Sequence, residues 1–193
     1  MAGSAIPSIP AAQAAAFGVS LSSANDPLRS FKFLEFSAID GAMKRDPTKL
    51  SEKGKELTRR EWREFGVYYR SDESTCEWHL HGNREGFGQL AGYIEAFAKG
   101  RCQEDEQAHE HLGPHWYLTL EGWHVPRLDK RGIWGTPDDL ERIATMIRAG
   151  TNRAQDGSSV CIGEEYASNA EYVLVMHVEP DSFDAASLDP QLK

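Results

Sequence analysis

The sequence predicts an α/β (α+β) domain: two β-α-β-β repeats sharing a mainly antiparallel sheet with both helices on one face, plus an N-terminal strand-helix extension. Three observations predict it. The stretch Trp78-His79-Leu80-His81-Gly82-Asn83-Arg84-Glu85-Gly86-Phe87 reads as a strand turning into a helix, and Ile133-Trp134-Gly135-Thr136-Pro137-Asp138-Asp139-Leu140 repeats the design without a gap. Downstream, Leu90, Ala91 and Ile94 fall opposite Ile143, Ala144 and Ile147, the spacing of a helix with one buried face. Further on, Trp116-Tyr117-Leu118-Thr119-Leu120 aligns with Tyr172-Val173-Leu174-Val175-Met176. Each unit has one apolar helix stripe and strands with one apolar face, so neither buries itself alone.

A chain of 193 residues, 40% hydrophobic, is long enough for one well-buried core. The expected organisation is a flexible leader over residues 1–27 and a single domain over 28–193. That domain divides into an extension (28–72), a first repeat (73–128), and a second repeat with its tail (129–193). The leader has no sustained period and ends at the turn signal Asn25-Asp26-Pro27, apart from an Ala-rich helical turn near Ala11–Phe17. Phe31–Phe36 alternates apolar and charged residues as a half-buried strand does. Thr58-Arg59-Arg60-Glu61 has the form of a capping box and opens a short helix carrying Trp62 and Phe65; Val67-Tyr68-Tyr69 follows Gly66 as a strand.

In the first repeat, Thr75–His81 is a strand, Asn83–Lys99 a helix ending near Gly100, and Arg101–Gln107 an acidic loop. His109–Leu112 and Trp116–Val125 are extended runs separated by Gly113-Pro114. In the second, Gly132–Trp134 is a strand and Pro137–Ala149 a helix, with Thr136 as N-cap and Pro137 at the first helical position. Val160–Glu165 and Glu171–Val178 are the closing strands, and the tail packs through Phe183 and Leu188.

Net charge is −9 and the pI near 5.3, which argues against unaided binding to nucleic acid or anionic membrane. A basic protein partner is the natural complement, and an acidic excess that serves only solubility fits the charge equally well. No apolar run reaches the length of a membrane span, and the first residues make a poor secretion signal. Cys76, Cys102 and Cys161 are odd in number and lack C-x-x-C spacing, so a reducing, cytoplasmic setting fits.

Candidate chemistry divides between histidines and acidic surface. His79 and His81 share one face of their strand, His109 and His111 share one face of theirs, and His115 lies past a turn. Converging, they would form a transition-metal site or metal-dependent enzyme, the alternative reading. Nucleophilic catalysis has little support: no G-x-S-x-G elbow is present, and Cys76 and Cys161 fall in expected strands, where a buried, inert thiol is commoner. Acidic clusters instead sit at loops beside Trp78, Trp116, Trp123, Trp134 and Tyr166, the composition of a surface that binds a basic protein.

The segment His81-Gly82-Asn83-Arg84-Glu85-Gly86, its helix ending near Gly100, and His109-Glu110-His111-Leu112 resemble the Imm32-type immunity proteins of bacterial polymorphic-toxin systems. The second half, from Gly135-Thr136-Pro137-Asp138-Asp139-Leu140 to Phe183-Asp184, resembles bacterial proteins carrying the same unit, so the likeness covers residues 75–190. It implies a non-enzymatic toxin inhibitor without a cofactor that neutralises a cognate toxin or effector by occluding its active site. Combined with the charge pattern, it makes Glu104, Asp105, Glu106, Glu164, Glu165 and Tyr166 the candidate partner contacts. Members of that family are shorter and lack the leader and the Phe31–Arg70 region, which would make that region partner-specific.

Overall fold

The computed structural model describes residues 50–105, 108–115 and 117–193, except the side chain of Glu104. The leader, the boundary at residue 28, the Phe31–Phe36 strand, Glu106 and Trp116 lie outside the described residues.

Helix α1 (Glu52–Phe65) starts earlier than its capping-box motif indicates. Ser51 is the N-cap, its Oγ accepting from Gly54 N–H at 3.1 Å, and Thr58 and Glu61 are interior. The Lys- and Glu-rich turns before Thr58 are good helix formers and are tied at 3.5 Å by Lys55–Glu52 and at 2.7 Å by Arg59–Glu56. The helix ends at Gly66, whose φ of 78° suits a residue without Cβ.

The next elements are β1 (Val67–Asp72), β2 (Glu77–Gly82), α2 (Arg84–Lys99), the short α3 (Arg101–Glu104), β3 (His109–Leu112) and β4 (Leu118–Gly122). Then come β5 (Arg127–Asp129), β6 (Gly132–Gly135), α4 (Pro137–Arg153), β7 (Ser159–Ile162) and β8 (Val173–Val178). The fold is mixed α+β with two similar units, as expected. What differs is how the units share strands: they form two four-stranded sheets, ordered β1-β2-β8-β7 and β3-β4-β6-β5.

The difference arises from β1 and β5. Each helix has a hairpin before it as well as after it, which supplies eight strands, and β5 is too short and polar for its alternation to register in the sequence. Each sheet then takes one hairpin from each half. Within a sheet the halves meet along a parallel seam, β2 against β8 with Leu80 beside Met176, and β4 against β6 with Leu120 beside Ile133. The other pairs are antiparallel. The halves correspond in detail: Glu179 N–H donates to Gly82 O and Trp123 N–H to Gly135 O, both at 2.9 Å.

Helices α2 and α4 pack on one another and run antiparallel, since Lys99 reaches Glu141 at 3.8 Å while Glu95, a turn earlier, pairs with Arg148, further along α4. Their stripes, Phe87, Leu90, Ala91 and Ile94 with Leu140, Ile143, Ala144 and Ile147, are fully buried. Both sheets contribute to the same core, and polar ties cross it: Trp78 Nε1–H donates to Asp129 O at 2.8 Å, and Tyr69 O–H donates to Leu112 O.

Smaller departures have local causes. Arg101–Glu104 is a helical turn rather than a loop, which buries Cys102 at 2% exposure. Cys76, expected in a strand, lies in the β1–β2 turn at a φ of 55°, and Cys161 is on an edge strand; both are exposed. The tail is anchored not by Leu188, which is 36% exposed, but by Asp189, which is 1% exposed. Asp189 Oδ2 accepts from Trp62 Nε1–H at 2.7 Å and lies 2.8 Å from His115 Nε2, tying α1, the β3–β4 loop and the tail together.

Asp189→Ala leaves the buried Trp62 Nε1–H without its acceptor and removes the partner of half-buried His115, and is expected to cost about 2–4 kcal/mol, read as a lower urea midpoint with an unchanged slope. Gly132→Ala is expected to cost about 2–3 kcal/mol in the same measurement. The φ there is 145°, and a Cβ would collide with the Thr119 carbonyl on the β4–β6 seam.

Candidate functional site

One end of the molecule brings together Asp105, Glu164 and Glu165 of the acidic residues singled out in the sequence. The turn from β6 into α4 is fixed by a capping box, in which Asp139 N–H donates to Thr136 Oγ1 at 3.2 Å and Thr136 N–H to Asp139 Oδ2 at 3.2 Å. Burial opposes ionisation of Asp139, but bonds from Thr136 and Arg142 outweigh it and hold the carboxyl below its ordinary range. Two other segments meet this turn. Cys102 on α3 approaches Gly135 O at 3.9 Å, and Tyr166 O–H, from the β7–β8 loop, donates to Trp134 O at 2.6 Å.

The loop after α3, bearing Asp105, and the Gly163–Ala167 loop, bearing Glu164 and Glu165, are thereby brought to the same end. Asp105, Asp138, Glu164 and Glu165 are exposed there. Arg142 fastens the second loop by donating to Glu165 O at 3.1 Å and Tyr166 O at 2.9 Å, with its guanidinium 4.9 Å from the Tyr166 ring centroid. Tyr166 is 2% exposed, and burial, followed by the charge of Asp139, pushes its hydroxyl pKa well up. Its ring is part of the core and shapes the loop. Trp78 is likewise core at 1% exposure, and Trp134, on the outer face of the second sheet, is covered by the Arg127 and Arg131 guanidiniums to 6% exposure.

The histidines divide between places that the sequence did not separate. His109 and His111 stand on β3 in the second sheet, and His115 serves Asp189. His79 and His81 occupy the polar face of β2, opposite Trp78 and Leu80, and there they meet His177 of β8, which the sequence reading did not name. His81 stacks on His177 with centroids 4.2 Å apart, and His79 Nδ1 lies 3.0 Å from His177 Nε2. Carboxylates flank the group: Glu77 Oε2 is 3.2 Å from His79 Nε2, and Glu179 Oε1 is 3.0 Å from His81 Nδ1. Among the described residues no group of three or more His, Cys, Asp or Glu side chains is placed to hold a metal ion. The signal for His177 was present, because alternation along Glu171–Val178 fixes its face, but only the β2–β8 pairing shows what it faces.

The geometry defines an acidic α+β protein with an exposed carboxylate cluster at one end and a histidine group on the outer face of its first sheet. Residues 77–128 match the family model described as Immunity protein 32 (Imm32). No curated protein and no solved structure matches the chain. No helix among the described residues is long and apolar enough to cross a membrane.

Burial, then the charges of His81 and His79, lowers the pKa of His177 against a smaller opposing pull from Glu179. A folded-state value below the unfolded one, which is about 6.5, means the unfolded chain takes up the proton first. The stability His177 contributes is therefore complete above that pH and declines as pH falls below it. Urea midpoints at pH 7.5 and 5.5 should show this loss in the wild type and less of it in His177→Gln.

Proposed function

We propose that this chain is an immunity protein that binds and neutralises a cognate bacterial toxin or effector by occluding its active site, without a catalytic step of its own in that inhibition. The single observation that carries the reading is the Imm32 match over residues 77–128, which supports an immunity-protein role in general. The target and the mode of inhibition are our inference from the surface. A net charge of −9 and the exposed carboxylates of Asp105, Glu164 and Glu165 at one end of the fold suit a basic partner with a cleft for an anionic substrate. Glu104 and Glu106, flanking Asp105 in sequence, extend the same contact set. Tyr166 acts from beneath by holding the Glu164-Glu165 turn in place. The three free cysteines fit a reducing, cytoplasmic setting for this encounter.

The test is co-purification of the full chain with the toxin from its own source, followed by charge reversal. Asp105→Lys/Glu164→Lys/Glu165→Lys is expected to slow association by about 10–100-fold at low salt while leaving the urea midpoint nearly unchanged, because the substituted residues are exposed. Unchanged association kinetics would remove this end from the interface.

A further inference from the structure

The polar face of the first sheet holds a directed chain of polar atoms: Glu77 Oε2 is 3.2 Å from His79 Nε2, His79 Nδ1 is 3.0 Å from His177 Nε2, and His177 Nδ1 is 3.0 Å from Ser159 Oγ. Donor and acceptor rules fix its sense. An ionised carboxylate only accepts, so Glu77 favours a proton on His79 Nε2, which leaves Nδ1 of the neutral ring as an acceptor. His177 must then carry its proton on Nε2, and its Nδ1 can only accept. The remaining donor is the Ser159 hydroxyl. We propose that Ser159 is a nucleophilic serine, with His177 as its general base and His79 and Glu77 as positioning residues, reactive toward small acyl esters and phosphonyl electrophiles.

Sheet register places these groups. Val178 N–H bonds to Ser158 O at 2.9 Å, so Ser159 and His177 are the adjacent non-hydrogen-bonded pair of the β7–β8 hairpin, where facing side chains are closest. In such a pair the Ser159 N–H points away from β8, and because β7 is an edge strand no further strand takes it up. A donor therefore stands beside the nucleophile for an oxyanion that forms there. Ser159 is exposed, and His177 is held from behind by the stacked His81, itself fixed by Glu179. Burial and the neighbouring imidazoles favour the neutral, basic form of His177.

In the reaction with an ester, the Ser159 Oγ–carbon bond forms as the Oγ proton passes to His177 Nδ1. The carbon–alkoxide bond then breaks, and His177 returns the proton to the leaving alcohol. Water repeats the sequence on the acyl-serine to release the carboxylic acid. With an alkyl fluorophosphonate, the Oγ–phosphorus bond forms, the phosphorus–fluorine bond breaks, and the adduct persists.

The test is incubation of the full chain with an alkyl fluorophosphonate, the adduct followed by intact mass and located by peptide mapping. Labelling is expected on Ser159 and not on neighbouring Ser158, absent in Ser159→Ala and about 100-fold slower in His177→Gln. Should His177→Gln unfold, the Glu77 pair decides: Glu77→Gln, whose amide can donate and so reverse the chain, is expected to slow labelling while Glu77→Asp restores much of it, at equal urea midpoints. No adduct on Ser159, equal rates in wild type and His177→Gln, or identical behaviour of the two Glu77 variants overturns the assignment. None of these readouts requires the toxin, so the outcome is separate from that of the immunity reading.

Discussion

The fold depends on its two parallel seams. A hairpin alone is marginal in water, and neither half has a complete sheet: β1–β2 is completed by β8–β7 from the far end of the chain, and β3–β4 by β6–β5. The chain between β2 and β8 runs through both long helices, whereas β4 reaches β6 through the short segment that holds β5, and α2 and α4 bury their apolar stripes in the shared core. The glycines at the seams belong to the same constraint. Gly82 and Gly135 each give a carbonyl to the partner strand from the other half, and Gly132 lets β6 approach Thr119 more closely than any side chain would permit.

Strand-for-strand correspondence sharpens the contrast between inside and outside. Facing the core, equivalent positions hold similar residues: Leu80 and Ile133, Leu118 and Leu174, Leu120 and Met176 are all essentially inaccessible to solvent. On the outer faces the same register carries different chemistry. Where the first sheet has His81, His177 and Ser159, the second has Trp134, Glu121 and His109. Trp134 is pinned by Asp129 at 3.0 Å and covered by the Arg127 and Arg131 guanidiniums at 5.3 and 4.9 Å from its centroid, which makes that face a closed structural cluster. Packing therefore constrains the core side of each sheet, while the outer sides of the two sheets carry different chemistry.

The sequence showed most where periodicity is strong. Both long helices, their caps at Asn83 and Thr136, and the polar orientation of His79 and His81 follow from spacing alone. A capping-box motif at Thr58 points to a later start for α1 than its actual N-cap, Ser51, before a Glu- and Lys-rich run. β5 was invisible because three residues cannot show alternation. The site suffered from a different limit. Whether His79 meets His109 or His177 depends on strand pairing across 98 residues, and whether Tyr166 is surface or core depends on a contact with Trp134, 32 residues away; local pattern contains no such information. Asp189 is the extreme case: in a tail rich in Asp, Ser and Pro, nothing marks the one carboxylate that Trp62 and His115 enclose.

The Imm32 match ends at residue 128, inside β5, and this boundary bears on how a partner would read the molecule. In this chain the matched segment includes β2 and β4 but neither β8 nor β6, so both of its central strands take their parallel neighbours from outside it. The segment leading to Asp105 belongs to the matched residues, the Glu164-Glu165 turn does not, and the two are held against successive carbonyls at the end of β6, Cys102 at Gly135 O and Tyr166 at Trp134 O. A partner engaging this end would contact both halves of the chain at once. Its binding energy would then favour the assembled fold over any opening of the seams, coupling recognition to the parallel pairing on which the structure depends.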